Sequence, residues 1–331
     1  MNNKTLVGLV IAVLVVGGIW YFASNKQEAK LETTKVKIAN LPITDGLPLY
    51  LALEKGYFKD EGLDVELVKF EAPNQLIDAI MAGQVDFTSP SGAMGITGVA
   101  DFKNPGKVKI YVAAGNDEKT PTDSIFVKSD SSITSIQGLK GKKLGTLPGI
   151  QWRTISTYIL AKNNLVANKD VTLVELAPAI QVTALASGEI DALLAIEPMS
   201  TTLKAKGIGK EILHAAAATT IANPFFPGAG AVRLDFAKQN PNTTEKVLKV
   251  FSRAIKEIRE NPDQARQYLK GYTPLDDSLI AQAPIHQFRM YNEITESDIA
   301  SIQKFYDIFS TGKVVDGQMD FKHLLYSPNT N

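Results

Sequence analysis

The sequence has no cysteine among its 331 residues, and this absence excludes several kinds of chemistry. Disulfides, thiolate metal sites, cysteine nucleophiles and lipid-modified cysteines all need that side chain. Positive charge is not in excess either, because 35 Lys and Arg residues balance 35 Asp and Glu residues. A chain without a basic field is a poor nucleic-acid binder, so we expect no nucleic-acid partner.

Catalytic and metal-binding patterns are equally scarce. The three histidines, His214, His286 and His323, form no HxxxH or HxH pair. The chain also has no GxSxG motif, P-loop or strand-linked GxGxxG motif. Each histidine is therefore predicted to be a surface residue or a satisfied core residue, and we expect no catalytic residue, no metal and no cofactor.

Residues 1–25 have the layout of an export signal. Lys4 precedes an apolar run from Leu6 to Phe22, which is near the minimum of roughly 17 residues that cross a bilayer as a helix. No good small-x-small cleavage site follows, which favours an uncleaved signal anchor, a transmembrane helix, over a removed signal peptide. Residues 26–35 would then be a charged tether. The body would lie outside the cytoplasm, anchored to the cell membrane, or in the periplasm if the signal is cleaved.

The body of the chain, from Val36 onward, alternates strand-like and helical runs. Such alternation is typical of βαβ units around a parallel sheet, and the chain length suits two lobes better than one core. We predict an α/β fold with two lobes, two crossover segments and a helical C-terminal tail. Lobe I is predicted to comprise residues 36–117 and 225–331, and lobe II residues 118–224.

Four motifs make the body similar to a known family: "DGLPLYLALEKGYFKDEGLDVEL", "GQVDFTSPSG", "LKGKKLGT" and "GEIDALLAIEP". Together they resemble the solute-binding proteins of ABC importers, in the SsuA/THI5-like group for aliphatic sulfonates, taurine, nitrate and thiamine-precursor pyrimidines. The resemblance covers Val36 to Leu269. It implies a type II periplasmic-binding-protein-like fold, whose two lobes close on a small-molecule ligand. It also implies an ABC transporter permease as partner and no enzymatic activity, and we expect a monomer.

Ligands of open α/β sheets bind at the carboxyl ends of the strands, where helix N-termini offer unpaired N–H groups. The sequence places three turns at such ends, namely Thr44–Gly46, Thr88–Gly92 and Thr146–Arg153. A site made of backbone N–H groups and small hydroxyls binds a ligand without reacting with it. The predicted ligand-binding residues are Thr44, Asp45, Ser89, Ser91, Gly149, Gln151, Trp152, Arg153 and Glu197.

Most of these residues have a structural alternative. Asp45 could only cap the helix that follows it, and Ser89 and Ser91 could be simple caps as well. Trp152, in the first turn of a helix, is more often a packing residue than a stacking platform. Arg153 is more often a solvated charge or a salt-bridge partner than an anion clamp.

Glu197 is the strongest candidate. It follows the apolar strand "ALLAI" and precedes Pro198, which puts it at the edge of the sheet where ligands bind. Proteins of the family that the sequence resembles often have an aromatic residue before this acid. This chain has Ile196 there, so a stacking role does not transfer, whereas the acid remains.

The charges of these residues leave the ligand open. Glu197 and Asp45 suit an amine or an aminopyrimidine edge, whereas Arg153 and the helix N-termini suit a sulfonate, carboxylate or phosphate. Together they predict a small zwitterion or a polar heterocycle. Two rival functions also stay open: an enzyme like those that make the thiamine pyrimidine, and a membrane-tethered sensory binding domain.

Overall fold

The computed structural model describes residues 32–328 of the chain. The predicted membrane segment and most of the predicted tether, residues 1–31, lie outside the described residues. Among residues 32–328, no helix combines the length and the apolar character that a membrane crossing requires.

Strands and helices alternate along the described chain. The strands are β1 (Lys35–Asn40), β2 (Asp64–Lys69), β3 (Phe87–Thr88), β4 (Val108–Asn116), β5 (Asp123–Lys128), β6 (Lys143–Thr146), β7 (Thr172–Glu175), β8 (Ala192–Ile196), β9 (Gly209–Leu213), β10 (Phe225–Arg233) and β11 (Gln287–Met290). The α-helices are α1 (Leu47–Glu54), α2 (Tyr57–Asp60), α3 (Pro73–Met81), α4 (Met94–Lys103), α5 (Ile150–Lys162), α6 (Pro178–Ser187), α7 (Met199–Ala205), α8 (Ala216–Thr220), α9 (Leu234–Gln239), α10 (Pro241–Glu260), α11 (Pro262–Ala265), α12 (Glu296–Thr311) and α13 (Phe321–Leu324). Short 3₁₀ turns cover Thr44–Gly46, Ile136–Leu139, Arg266–Leu269 and Asp277–Gln282.

The strands form two sheets. The first has the order β11-β4-β10-β3-β1-β2, and the second has the order β7-β6-β8-β5-β9. The chain passes from the first sheet to the second between Asn116 and Asp123, and it returns between Leu213 and Phe225.

Both sheets are mixed, so the prediction of a parallel sheet is only partly right. In the first sheet β1 is parallel to β2 and β3, but β10 is antiparallel to β3 and β4. In the second sheet β6 is parallel to β7 and β8, but β5 is antiparallel to β8 and β9. Neither β5, which opens the second sheet, nor β10, on which the chain returns, arrives through a βαβ unit, and the edge strand β11 is antiparallel to its neighbour β4 as well.

The C-terminal part is helical with one exception. The longest helix of the described residues is α10, and its apolar stripe is buried: Val247, Val250, Phe251, Ala254, Ile255 and Ile258. Thr295 begins α12 with a capping box that includes Asp298, as its sequence indicates. The exception is β11, which adds an edge strand to the first sheet antiparallel to β4. The prediction of a wholly helical tail missed it, because four residues are too few to show a strand period.

Candidate functional site

The 3₁₀ turn after β1 carries the first part of the site. Asp45 is 4% exposed, and its Oδ1 lies 3.0 Å from Nε2 of His286. Thr44 Oγ1 lies 3.0 Å from the same nitrogen. The helix that follows has no side-chain cap. Asp45 therefore does not cap α1, the alternative that the sequence left open, but pairs with a histidine distant in sequence.

His286 reaches this turn from the opposite edge of the first sheet. It precedes β11, whose Gln287 is paired with Gly115 of β4, so the histidine lies beside the end of β4. Asp45 and Thr44 share one ring nitrogen. The arrangement therefore places a carboxylate and a hydroxyl against the histidine, and it leaves the other ring nitrogen, Nδ1, without a partner among the described residues.

The second sheet contributes two buried acids. Asp123 opens β5 and is paired with Ile196, the last residue of β8, so Glu197 emerges beside it. Asp123 accepts hydrogen bonds from the Ala217 N–H at 2.7 Å and from Asn116 Nδ2 at 3.2 Å. Glu197 Oε2 accepts one from the Thr201 N–H at 3.3 Å.

Asp45, Asp123, Glu197 and His286 form what we call the acidic cluster. Burial raises the pKa of Glu197 to about 7, against the opposing effect of the Thr201 hydrogen bond and the nearby His286. Burial also raises the pKa of Asp123. Burial lowers the pKa of His286, but the carboxylates of Asp45, Glu197 and Asp123 outweigh it, and the net shift is upward. The four groups thus interact electrostatically at the junction of the two sheets.

The turn after β3 lies next to the part of the acidic cluster that belongs to the first sheet. Ser89 Oγ donates to Asn40 Oδ1 at 3.0 Å, and Ser91 exchanges backbone hydrogen bonds with Ala229 of β10. Neither serine caps α4, which begins at Met94 without a side-chain cap.

The start of α5 joins the two halves of the molecule. Gln151 is fully buried, accepts from the Gly95 N–H at 2.6 Å and donates to the Pro227 carbonyl at 3.0 Å. Trp152 Nε1 donates to the Gly92 carbonyl at 3.3 Å. Pro227 belongs to β10 of the first sheet, and Gly92 and Gly95 belong to the segment that follows β3. We call the part of the chain that contains the first sheet the first-sheet half, and the part that contains the second sheet the second-sheet half. Gln151 and Trp152 therefore hold the second-sheet half against the first-sheet half.

Arg153 and Gly149 stand apart from the acidic cluster. Glu175, at the end of β7, accepts from Arg153 at 2.8 and 2.6 Å and from the Gly149 N–H at 3.3 Å. The Arg153 side chain is 48% exposed. Of the predicted residues, the structure brings Thr44, Asp45 and Glu197 together and places the serines beside them, whereas Arg153 turns to Glu175.

Several polar atoms of the site are buried without a partner among the described residues. They are Asp45 Oδ2, Ser91 Oγ, Asn116 Oδ1 and His286 Nδ1. Buried polar groups are almost always hydrogen-bonded, because an unpaired one costs about 1–3 kcal/mol. The four atoms come from different segments and lie at one junction, which makes this junction the candidate binding site.

Gly228 of β10 makes room for this arrangement. A Cβ atom there would lie 2.6 Å from Asp45 Oδ2 and 2.8 Å from the Ala114 Cβ. Such contacts are shorter than side chains tolerate, so glycine is what allows the Asp45 carboxylate to approach the strand.

The acids are not arranged around a metal ion: residues 32–328 contain no group of three or more His, Cys, Asp or Glu side chains spaced to hold one. The cluster can instead surround a larger group by charge and hydrogen bonding.

Sequence reasoning missed Asn116, Asp123 and His286. The first two lie within the segment predicted to cross between the lobes, Gly115 to Ser124, and their polar side chains next to the predicted strands were the available signal. His286 gave no signal, because it lies in a stretch predicted to be helical. Its role depends on β11, which only the tertiary structure reveals.

The fold of two mixed sheets covered by helices is periplasmic-binding-protein-like. It resembles the alkanesulfonate-binding protein SsuA from Xanthomonas axonopodis pv. citri, with a TM-score of 0.72 at 19% identity, over 89% of this chain and 99% of that chain. A likeness at this identity concerns the fold alone.

Sequence comparisons identify the family. The model of the family described as "NMT1/THI5 like" matches residues 43–265, and the chain belongs to this family. The chain is 27% identical to a Bacillus subtilis (strain 168) protein named for aliphatic sulfonate binding, over 98% of this chain and 94% of that protein. It is 26% identical to the 4-amino-5-hydroxymethyl-2-methylpyrimidine phosphate synthase THI13 of Saccharomyces cerevisiae, over 70% of this chain and 69% of that protein. These findings confirm the predicted group, the SsuA/THI5-like proteins.

Proposed function

We propose that this protein captures a small polar organic molecule or oxyanion between two lobes and delivers it to the permease of an ABC importer. The observation that carries the proposal is the set of buried, unpartnered polar atoms at the junction of the two sheets. The relatives named for solute binding support the same role.

The proposed lobes are those predicted from the sequence, residues 36–117 with 225–331, and residues 118–224. Each lobe holds one sheet, and the chain changes sheet twice, which supports a type II arrangement with two crossover segments. Because few segments cross, the lobes can rotate about them. The contacts of Gln151 and Trp152 with the first-sheet half then belong to the closed form.

The fluorescence of Trp152 can report the proposed motion of the lobes. Trp152 is 1% exposed in this structure, and the chain has two tryptophans, the other being Trp20. In the Trp20→Phe variant, a bound ligand should shift the Trp152 emission to the blue and reduce the radius of gyration in small-angle scattering. An unchanged spectrum and an unchanged radius at saturation would contradict the hinge.

We also propose that the protein acts outside the cytoplasm as a monomer and that Leu6 to Phe22 anchors it to the membrane. The motivation is the uncharged run and the missing cleavage site. Membrane fractionation with protease accessibility tests it: a body protected inside the cell contradicts export, and a released mature chain beginning near residue 25 contradicts the anchor.

The proposed role is binding without reaction, which the relatives named for solute binding support. The decisive experiment is a thermal-shift screen of sulfonates, nitrate, taurine, aminopyrimidines, primary amines and amino acids. A ligand at one hundred times its dissociation constant stabilises the folded state by about 2.7 kcal/mol. Mass spectrometry should recover the bound compound unchanged, and a transformed product would favour an enzyme. A screen without any hit would contradict the proposal.

A further inference from the structure

Two groups that could bind an anion in the second-sheet half, the Gly149 N–H and the Arg153 guanidinium, are already paired with Glu175. Glu175 accepts from the Gly149 N–H, at the N-terminus of α5, and from both Nε and Nη2 of Arg153. A carboxylate in this position provides the negative charge that a helix N-terminus and an arginine favour. A sulfonate or carboxylate ligand would have to displace it.

Negative groups predominate where the two sheets meet. Three carboxyl groups, those of Asp45, Asp123 and Glu197, face a single histidine, and all four residues are more than nine-tenths buried. Bringing carboxylates together out of water is unfavourable unless a positive group compensates. His286 compensates for one carboxylate at most, and its close partner is Asp45.

The unpartnered atoms specify hydrogen-bond character as well as charge. Asp45 Oδ2 and Asn116 Oδ1 are acceptors with no donor among the described residues. Ser91 Oγ and His286 Nδ1, also unpartnered, can adapt to either role. The group that completes this site must therefore donate hydrogen bonds, at least to the two acceptors.

We propose that the ligand is a small organic cation that donates N–H groups, with its positive nitrogen held between Asp45 of the first-sheet half and Glu197 of the second. The chemical class comprises primary ammonium, amidinium, guanidinium and protonated aminopyrimidine groups. This inference rests on the proposed function and departs from the sulfonates in the names of the relatives. Because one carboxylate lies on each side of the junction, a cation also favours the closed form.

The test is isothermal titration calorimetry on the full chain, with probes matched in shape and different in charge. Benzamidine, benzamide and benzoate form one series; propylamine, propyltrimethylammonium and propanesulfonate form another. A broader thermal-shift library of amines, guanidines, aminopyrimidines, sulfonates, carboxylates, nitrate, Zn²⁺ and Ca²⁺ accompanies them. We expect the tightest binder to carry N–H donors and positive charge, and trimethylation to abolish binding because it removes every donor.

Variants locate the bound cation. Glu197→Gln keeps the shape and the acceptor for the Thr201 N–H, and it should weaken the best amine about thirtyfold or more, as for truncated buried charge pairs. Asp45→Asn should have a similar effect, with circular dichroism and thermal melting to verify folding. Glu66→Gln is the matched control, because Glu66 is exposed on β2 in an ion pair with Lys37, and it should leave the affinity unchanged.

The outcomes separate the two proposals. A sulfonate, carboxylate, neutral molecule or metal ion as the best binder, or a trimethylated amine that binds as well as its parent, overturns the inference and leaves solute binding intact. Cation binding that is unaffected by both Glu197→Gln and Asp45→Asn also overturns it. A library without any binder contradicts the proposed function itself.

Discussion

Replacing Glu197 by Gln should stabilise the ligand-free protein at alkaline pH. The carboxyl group is 4% exposed, and burial raises its pKa from 4.5 to about 7. The groups that favour its charged form are the Thr201 hydrogen bond, His286 and Lys204, and they do not offset burial. The glutamate is therefore held in a place where its ionisation costs folding free energy, as expected of a residue kept for a ligand.

The magnitude follows from linkage between protonation and folding. Because the folded-state pKa is raised, the folded protein holds the proton more tightly than the unfolded chain. The stabilisation is complete below about pH 4.5 and disappears as the pH rises through 7. Between pH 5 and pH 8 the wild type should lose about 2–3 kcal/mol of unfolding free energy relative to Glu197→Gln, which has no such proton.

Urea unfolding at pH 5, 6, 7 and 8 measures this difference on protein freed of ligand. The difference in unfolding free energy between Glu197→Gln and wild type should grow steadily over that range. The Glu66→Gln control, at an exposed ion pair, should show no such trend. Parallel pH profiles of wild type and Glu197→Gln would refute the reasoning, because they would mean that the carboxylate is well solvated in the folded protein.

Three further results are expected. The affinity of the best amine should rise about tenfold from pH 6 to pH 8 as Glu197 ionises, with a clearly smaller rise in Glu197→Gln; a falling profile in the wild type would contradict this role. Gly228→Ala should weaken the same amine roughly tenfold, since its methyl group would crowd Asp45 Oδ2 at about 1–3 kcal/mol; calorimetry showing wild-type affinity would mean that Asp45 can move freely. Glu175→Gln should raise the affinity for propanesulfonate several-fold by releasing Arg153, whereas no gain would mean that Glu175 does not block an anion.

Local patterns predicted much of this fold. The amphipathic stripe of α10 and the cap at Thr295 are properties of neighbouring residues, and both are present. Alternation of strands and helices predicted the two sheets as well. The direction of β10 could not be predicted, because it depends on where the chain re-enters the first sheet, and β11 is a four-residue strand stabilised by pairing with β4.

The candidate site could likewise be predicted only where it depends on local sequence. Positions at strand ends predicted that Asp45 and Glu197 lie at one edge, and in the structure both interact with His286. The partner of Asp45 was not visible, since His286 is 241 residues away and meets it only through sheet pairing. Arg153 pairs with Glu175, which is the salt-bridge alternative that the sequence left open beside an anion-binding role. Charge pairs between segments that are distant in sequence depend on the tertiary structure, so the sequence alone does not reveal them.

The crystal structure of the complex with the best binder is the most direct test of the central claim, that the ligand lies between the two sheets. We expect a nitrogen of the ligand within hydrogen-bond distance of Asp45 and Glu197, and Asn116 Oδ1 to accept from the ligand. A ligand elsewhere would contradict the account. One such alternative is the cavity of about 430 Å³ beside Leu248, Met290 and Tyr326.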